Sequence, residues 1–232
     1  MIKAVIFDFD HTLYDRDASY TKMFAPFKAD MAEFINHDLS DEELLRRMKQ
    51  ADKDGAYPVG WPDVYKEKVA HDVFKKIPTY EEYMKVIRTH QPRTITLWND
   101  TLSTLTTLRE QGYKIGMLTN GGVNSQMDKL NNTPLAPYFD TIIISGSLPE
   151  GKPHASAYHT ICREMGVAPE EAVYVGDHPI NDVEGSKKAG LTAIWIPYVR
   201  PFPADRLQPD HTIEALGELP ALLAEINGKA QA

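Results

Sequence analysis

Two acidic residues, Asp8 and Asp10, directly follow an apolar segment near the N-terminus. The segment, IKAVIF at 2–7, is almost continuously apolar, as expected of a strand covered on both faces in a parallel sheet. In extended backbone, residues at this spacing project their side chains to the same side. Carboxylates so close together repel each other, and burying them is costly without a cation between them. The pattern is compatible with a solvated turn or with half of a cation site.

A second acidic pair, Asp177 and Asp182, lies in the segment GDHPIND at 176–182. On its own, Asp182 is also compatible with a helix start, where the helix dipole favours a carboxylate. Together with Asp8 and Asp10, the pair forms an oxygen-rich set that suits a hard cation. Mg²⁺ held by carboxylates, water and a substrate phosphate is the natural choice for such a set.

Polar residues in two further segments can serve the same chemistry. Thr119 and Asn120 offer a hydroxyl, an amide and backbone N–H groups beside two glycines, although a plain strand-to-helix turn has the same composition. Lys152 lies in the GKP segment at 151–153, ahead of a predicted helix. Such lysines are usually surface residues, but an ammonium would balance a site crowded with carboxylates and phosphate oxygens.

Alternating strands and helices from Leu97 onward predict how these residues are brought together. The predicted strands lie at 113–118, 139–144, 172–175 and 192–196, and the predicted helices near 102–112, 123–130, 155–165 and 179–189. This alternation predicts an α/β fold, a doubly wound parallel sheet with a Rossmann-like core. In such sheets ligands bind beyond the carboxyl ends of the strands, where Asp8, Thr119 and Asp177 are expected.

The chain between Asp15 and Gln91 contains no convincing strand and predicts helices instead. The signals are helical spacing of apolar residues from Tyr20 to Ile35, capping-box patterns at Ser40–Glu43 and Thr79–Glu82, and a helical pattern at 61–73. We therefore expect residues 16–91 to form a helical domain inserted after the first strand. Residues 1–15 and 92–232 are expected to form the α/β core.

Composition and charge limit the class of protein. Of the 232 residues, 42% are hydrophobic, enough to fill the core of one large domain. The formal charge is -8 and no basic block occurs, so we expect no nucleic-acid ligand. The single cysteine, Cys162, excludes an internal disulfide and a cysteine-rich zinc site. Since no signal-like or membrane-spanning apolar run occurs, we expect a cytoplasmic protein with no membrane partner. The oligomeric state stays open, a monomer included.

Taken together, these segments resemble the haloacid dehalogenase superfamily of hydrolases. The matching motifs, in order, are DxDxT at 8–12, the strand-end Thr119-Asn120, the lysine of GKP at 151–153, and GDxxxxD at 176–182. The resemblance covers the predicted α/β core. The insertion matches only by its position and helical character, which are similar to those of the C1-type cap found in phosphatase-like members.

The resemblance implies a role for each residue of the motifs. Asp8 would be the nucleophile that attacks phosphorus to give an aspartyl-phosphate. Asp10 would protonate the leaving alkoxide and later deprotonate the water that hydrolyses the intermediate. Thr119 and Asn120 would hold phosphoryl oxygens. Lys152 would offset the negative charge of Asp8 and the phosphoryl group in the transition state.

The resemblance also implies the metal site. Mg²⁺ would be held by the Asp8 carboxylate, the Asp10 carbonyl and Asp177, with Asp182 either a ligand or a partner of the ligands. One departure from the common pattern is His11, where the family often has Gly or Asp. We expect His11 to be a solvent-facing spacer.

The activity implied by the resemblance is Mg²⁺-dependent hydrolysis of small phosphomonoesters, such as nucleoside monophosphates or sugar phosphates. The inserted domain would be a mobile cap that closes over Asp8 and selects the substrate. A small phosphorylated metabolite is therefore the expected partner.

Other activities share part of this pattern. A phosphotransferase or phosphomutase has the same motifs and differs only in the acceptor. A haloacid dehalogenase uses the same nucleophile on carbon, but the family's dehalogenases lack the second aspartate of the first motif, so Asp10 favours phosphate. A phosphoryl-accepting signalling module is shorter, and its lysine follows all the acids, whereas Lys152 precedes Asp177. An inactive binding protein is a further alternative.

Overall fold

The structure, a computed structural model, describes residues 1–53, 73–198 and 201–229. Apart from Val73, the helix predicted at 61–73 lies outside these residues. In the ranges that are described, no helix is both long and apolar enough to cross a bilayer.

The chain divides into two compact units. The first consists of Met1–Asp15 and Leu97–Ala232, and the second of Arg16–Thr96. In chain order the described helices are α1 Arg16–Asp30, α2 Asp41–Lys53, α3 Tyr80–His90, α4 Thr101–Glu110, α5 Val123–Asn131, α6 Ala155–Met165, α7 Gly185–Lys188 and α8 Leu219–Lys229. The first three belong to the second unit and the others to the first.

A parallel sheet of six strands forms the centre of the first unit. The strands are β1 Ala4–Phe7, β2 Lys114–Thr119, β3 Thr141–Ile144, β4 Ala172–Gly176, β5 Thr192–Trp195 and β6 His211–Thr212. They lie in the order β3-β2-β1-β4-β5-β6, so β1 is paired on both sides. The predicted α/β fold with a parallel sheet is therefore confirmed.

Packing of α6 against the sheet stabilises the central strands. Ile6 of β1, Leu118 of β2 and Tyr174 of β4 lie in one buried cluster with Tyr158 and Ile161 of α6. Because successive strand residues point to opposite faces, this cluster fixes which residues face α6 and hence the register. Full burial of one such aliphatic side chain contributes roughly 1.5–3 kcal/mol.

The register aligns the strand ends that carry the acidic motifs. Phe7, the last residue of β1, is paired with Met117 of β2 and with Val175 of β4. The backbone N–H of Asp8 donates to the Val175 carbonyl at 3.0 Å, which continues this pairing by one residue. Asp8 thus leaves the sheet level with the ends of β2 and β4.

The first unit is continuous in space although the second unit interrupts it in sequence. Tyr14 and Leu97 form an antiparallel β-bridge, so the residues at which the chain leaves and re-enters this unit lie side by side. Two elements of this unit, β6 and α8, are not predicted from the sequence. The two-residue strand β6 is too short to show any periodicity.

Aromatic and aliphatic side chains of α1, α2 and α3, and of the segments next to these helices, form the core of the second unit. Phe27 of α1 packs edge-on against Tyr83 of α3, with ring centroids 5.9 Å apart. The predicted helical segment from Tyr20 to Ile35 is too long, because α1 ends at Asp30. Residues 31–34 form turns, yet Met31, Phe34 and Ile35 are buried in the same core, which explains the extended pattern.

Both predicted capping patterns lie at the start of helices. Thr79 and Glu82 form the complete capping box of α3. At α2, the Ser40 hydroxyl accepts the Glu43 N–H at 3.2 Å. The Glu43 carboxylate pairs with two arginines of the following turn.

Candidate active site

The acidic residues of the first and last motifs lie together at the carboxyl edge of the sheet. Asp8 follows β1, while Asp177 and Asp182 follow β4. Each of the three offers a carboxylate oxygen within 4.8 Å of the others, and all three residues are buried. Carboxylate oxygens at such separations suit a hard divalent cation, so this group could bind a metal ion.

A buried ammonium lies against the same carboxylates. Lys152 Nζ donates to Asp8 Oδ1 at 2.6 Å, to Asp182 Oδ1 at 2.7 Å and to the Tyr174 hydroxyl at 2.7 Å. The Tyr174 hydroxyl in turn donates to the Leu118 carbonyl at 2.7 Å. The three hydrogens of the ammonium are thus all used, and its position is fixed from three directions.

The electrostatics of the cluster are dominated by burial and by excess negative charge. The pKa of Asp8 is raised to about 6, mainly by burial; Lys152 opposes the rise, and the carboxylates of Asp182 and Asp10 add to it. Burial alone would lower the pKa of Lys152, but Asp182 and Asp8 hold it above its ordinary value. One ammonium therefore does not balance the carboxylates around it, and additional positive charge would stabilise the ionised form of Asp8.

Close packing at the end of β4 brings Asp182 into the cluster. A Cβ atom on Gly176 would lie 2.4 Å from Asp182 Oδ2, so only glycine leaves room for this carboxylate. Asp182 Oδ2 also accepts the backbone N–H of His178 at 2.8 Å. The glycine of the GDxxxxD motif is thereby explained by the close approach of its second aspartate.

The carboxylate of Asp10 has partners of its own. Oδ1 accepts from Lys129 Nζ at 2.5 Å and from the Tyr14 hydroxyl. Oδ2 accepts from Gln126 Nε2 at 2.9 Å. Lys129 and Gln126 belong to α5, which begins directly after the Thr119 loop.

The loop after β2 is tied both to α5 and to Lys152. Thr119 Oγ accepts from Gln126 Nε2 at 2.6 Å. Asn120 Oδ1 accepts the Lys152 backbone N–H at 3.0 Å, and Asn120 Nδ2 donates to the Lys152 carbonyl at 2.8 Å. The second and third motifs are thus joined directly through the Asn120 side chain.

Comparison with known proteins identifies the family. The family model described as haloacid dehalogenase-like hydrolase matches residues 5–196, which is more than half of the chain. The chain belongs to this family. The resemblance seen in the motifs is therefore confirmed, and the protein is a hydrolase of the haloacid dehalogenase-like family.

Individual relatives of this hydrolase include several phosphatases. The chain is 32% identical over 203 residues to the glyceraldehyde 3-phosphate phosphatase of Methanopyrus kandleri, covering 84% of each chain. It is 29% identical over 241 residues to the N-acylneuraminate-9-phosphatase of Rattus norvegicus, covering 98% of this chain and 96% of the relative. Among solved structures, the 2-haloacid dehalogenase of Pseudomonas syringae superposes with a TM-score of 0.65 at 26% identity, covering 97% of this chain and 99% of the other.

In this hydrolase, sequence reasoning overlooked three polar residues of the site. Tyr174 lies on a strand, where its hydroxyl could not be assigned to a particular face from sequence alone. Gln126 and Lys129 lie three apart on α5, a spacing that places both on one helical face. That spacing is the only sequence signal for the pair, and it is equally typical of an exposed face.

His11 departs from its predicted position. It is buried, with 9% of its surface exposed, so the expectation of a solvent-facing spacer is wrong. The backbone adopts a positive φ of 63° at this residue, and the His11 carbonyl accepts from Trp98 Nε1 at 3.2 Å. The chain therefore turns inward after Asp10 instead of exposing the side chain.

Proposed function

We propose that this hydrolase is an Mg²⁺-dependent phosphatase of small phosphomonoesters that works through an aspartyl-phosphate on Asp8. The observation that carries the proposal is the position of Lys152, whose ammonium contacts Asp8 and Asp182 in a buried cluster of carboxylates. A carboxylate nucleophile cannot approach a phosphate dianion until positive charge screens both groups. Lys152 and a cation held by the carboxylates would supply that charge together.

The reaction takes place in two steps. In the first, Asp8 forms a bond to phosphorus as the bond to the leaving oxygen breaks, and Asp10 transfers a proton to that oxygen. In the second, Asp10 takes a proton from a water molecule that attacks phosphorus. Inorganic phosphate leaves, and the Asp8 carboxylate is restored.

Two residues of the loop after β2 are suited to the phosphoryl oxygens. The Thr119 hydroxyl oxygen accepts from Gln126, which leaves its hydrogen for donation to a phosphoryl oxygen. Asn120 Nδ2 carries two hydrogens, one of which is used on the Lys152 carbonyl. We assign the other to the phosphoryl group, close to Lys152.

We assign the metal site to the carboxylates of Asp8 and Asp177 together with the Asp10 carbonyl. Asp182 already accepts from Lys152 and from a backbone N–H, so we assign it first to holding Lys152, with its remaining lone pairs available to the cation. The chemistry of the donor set fits Mg²⁺, which prefers oxygen ligands and retains water. When bound, the ion supplies charge that stabilises the phosphoryl group during transfer.

The substrate class is proposed from the relatives. Two phosphatases similar to this chain are named for glyceraldehyde 3-phosphate and for an N-acylneuraminate 9-phosphate, which are both small phosphomonoesters. We propose a sugar phosphate or a similarly small phosphomonoester, with nucleoside monophosphates as the other members of the class. We further propose that the helical unit, Arg16–Thr96, selects among them.

Dehalogenation is the second candidate, because a 2-haloacid dehalogenase superposes on 97% of the chain. A displacement on carbon that expels halide needs no leaving-group acid. This chain has a second aspartate in its first motif, Asp10, whose carboxylate is held by Lys129 and Gln126. Asp10 therefore favours phosphate as the substrate.

A panel of phosphorylated metabolites, assayed with and without Mg²⁺, tests the proposal. Phosphate release should require Mg²⁺, and Asp8→Asn should lower kcat by several orders of magnitude, because it removes the nucleophile while preserving its size. Asp205→Asn, at an exposed residue of the same unit, is the matched control and should retain activity. Substantial turnover by Asp8→Asn, or halide release from 2-haloacids without phosphatase activity, would contradict the proposal.

A further inference from the structure

A lysine that none of the four motifs includes is buried next to Asp10. The side chain of Lys129 is only 4% exposed, and its ammonium lies 2.5 Å from Asp10 Oδ1. The same ammonium lies 5.4 Å from the ring centre of Phe9 and 5.8 Å from that of Tyr14. Although aromatic rings attract a cation, removing an ammonium from water is costly unless a carboxylate compensates it. Asp10 is the carboxylate that does so.

Gln126 makes the matching contact from the same face of α5. Its Nε2 lies 2.9 Å from Asp10 Oδ2 and 2.6 Å from Thr119 Oγ. Side chains three residues apart on a helix are neighbours, so Gln126 and Lys129 act from one rigid surface. This surface contacts both oxygens of Asp10 and the loop after β2 at the same time.

We infer that Lys129 is a positioning residue, which acts with Gln126 to hold the Asp10 carboxylate in one orientation for proton transfer. The inference rests on the proposed function, because it takes proton transfer to be the task of Asp10. An aspartate side chain otherwise rotates between staggered conformers, and donors on both oxygens remove that freedom. A misplacement of about 1 Å in a reacting group costs on the order of a hundredfold in rate.

If the Lys129–Asp10 ion pair only stabilised the fold, its contacts would be the same, but loss of Lys129 would have a different effect on kcat and KM. If Lys129 works through Asp10, its loss should lower kcat and change KM little, since substrate binding does not depend on the Asp10 orientation. The loss should also be larger for alkyl phosphates, whose leaving groups need a proton, than for aryl phosphates. A structural pair would instead lower stability without this dependence on the leaving group.

The test is a double-mutant cycle with Lys129→Met and Asp10→Asn, measured as kcat and KM on an alkyl and an aryl phosphate. We expect Lys129→Met to lower kcat on the alkyl phosphate by about ten- to a hundredfold in the wild-type background. In the Asp10→Asn background it should change kcat by less than about threefold, because the group it positions is already disabled. Lys129→Arg, which keeps the charge, should recover part of the loss.

Lys187→Met is the matched control, since it removes another lysine from the same unit, one that pairs with Asp210 at 2.5 Å. It should leave kcat unchanged in both backgrounds. If Lys129→Met does not fold, Lys129→Gln takes its place in the cycle with the same criteria. Suppose that the wild-type enzyme is active, but that the Lys129 variants keep full kcat or lose the same factor in both backgrounds. This result would overturn the inference and leave the proposed function intact. A wild-type protein without phosphatase activity overturns the proposed function, and the inference falls with it.

Discussion

At the scale of single residues, the two aspartates of the first motif have different hydrogen-bond partners. Asp8 is held by Lys152 beside the other carboxylates, whereas Asp10 is held by Lys129 and Gln126. Two aspartates that are close in sequence thus have different partners. Because environment influences the behaviour of a carboxylate, the two aspartates are expected to behave differently, as the roles proposed for them require.

The role of Asp10 can be tested directly. Asp10→Asn should lower turnover by roughly 10²–10⁴, because an amide can neither protonate the leaving oxygen nor deprotonate water. Rapid mixing should show that phosphoenzyme formation is slowed more with an alkyl phosphate than with an aryl phosphate. Equal losses for the two substrates would show that Asp10 is not the acid.

Residue-scale prediction from sequence succeeded where a motif directly follows a strand. Asp8 and Asp177 could be assigned to one edge because parallel strands bring their carboxyl ends together. Lys129 and Gln126 could not be assigned in this way, since polar residues on a helix are usually exposed and only the packing of α5 shows which face is buried. The buried position of His11 could not be predicted, because a backbone turn of this kind leaves no periodic signal in the sequence.

At the scale of elements, Asp182 can approach the end of β4 because the strand ends in Gly176, which has no side chain. Gly176→Ala would place a Cβ within 2.4 Å of the Asp182 carboxylate, which must then move away from Lys152. We expect a loss of about 1–3 kcal/mol in the free energy of unfolding, as for other overpacked sites. We also expect kcat to fall with it, because Lys152 loses one of its three partners.

Urea unfolding and phosphatase assays on Gly176→Ala provide the measurement. Gly228→Ala is the control, because a Cβ there has no atom within 4 Å and the residue lies in a helix. That change should not lower stability, since alanine favours a helix more than glycine does. Unaltered activity and stability in Gly176→Ala would show that Asp182 can move without consequence.

Several elements were predicted with accurate bounds, whereas the helix predicted at 179–189 is divided into a π-helix, Pro179–Glu184, and α7. The helix predicted at 155–165 has the observed bounds of α6, and β2 to β5 lie where the alternation placed them. The prediction was wrong where the same apolar spacing continues beyond a helix, as after Asp30 of α1, where Met31 and Phe34 lie in turns but remain buried. The spacing of apolar residues indicates which side chains are buried. It corresponds to a helix only where the backbone also forms helical hydrogen bonds.

At the scale of the whole molecule, the cluster of buried carboxylates should make stability depend on the cation. Mg²⁺ at about one hundred times its dissociation constant should stabilise the folded protein by about 2.7 kcal/mol. For a chain of this size that corresponds to a rise in Tm of roughly 5–10 °C. Thermal unfolding with Mg²⁺, and with NaCl at equal ionic strength, measures the effect. In Asp177→Asn the rise should be much smaller, and an equal rise would place the cation elsewhere.

The division of the chain into two units predicts a division of tasks. Replacing Arg16–Thr96 with the corresponding segment of a relative should change which phosphates are hydrolysed, while Mg²⁺ affinity at Asp8 and Asp177 stays within a few-fold. Calorimetry with Mg²⁺ and the substrate panel test this on a chimera whose sheet is shown to be folded by circular dichroism. An unchanged substrate profile would mean that selection depends on the α/β unit.

The bridge between Tyr14 and Leu97 has a consequence for how such a chain can evolve. Because the two ends of the interruption meet at one β-bridge, the helical segment closes a loop between two adjacent residues of the α/β unit. The entropy of closing a flexible loop grows slowly with length, by about 0.6 kcal/mol for each doubling. We therefore expect that insertions of very different size can replace one another at this point while the sheet register is retained.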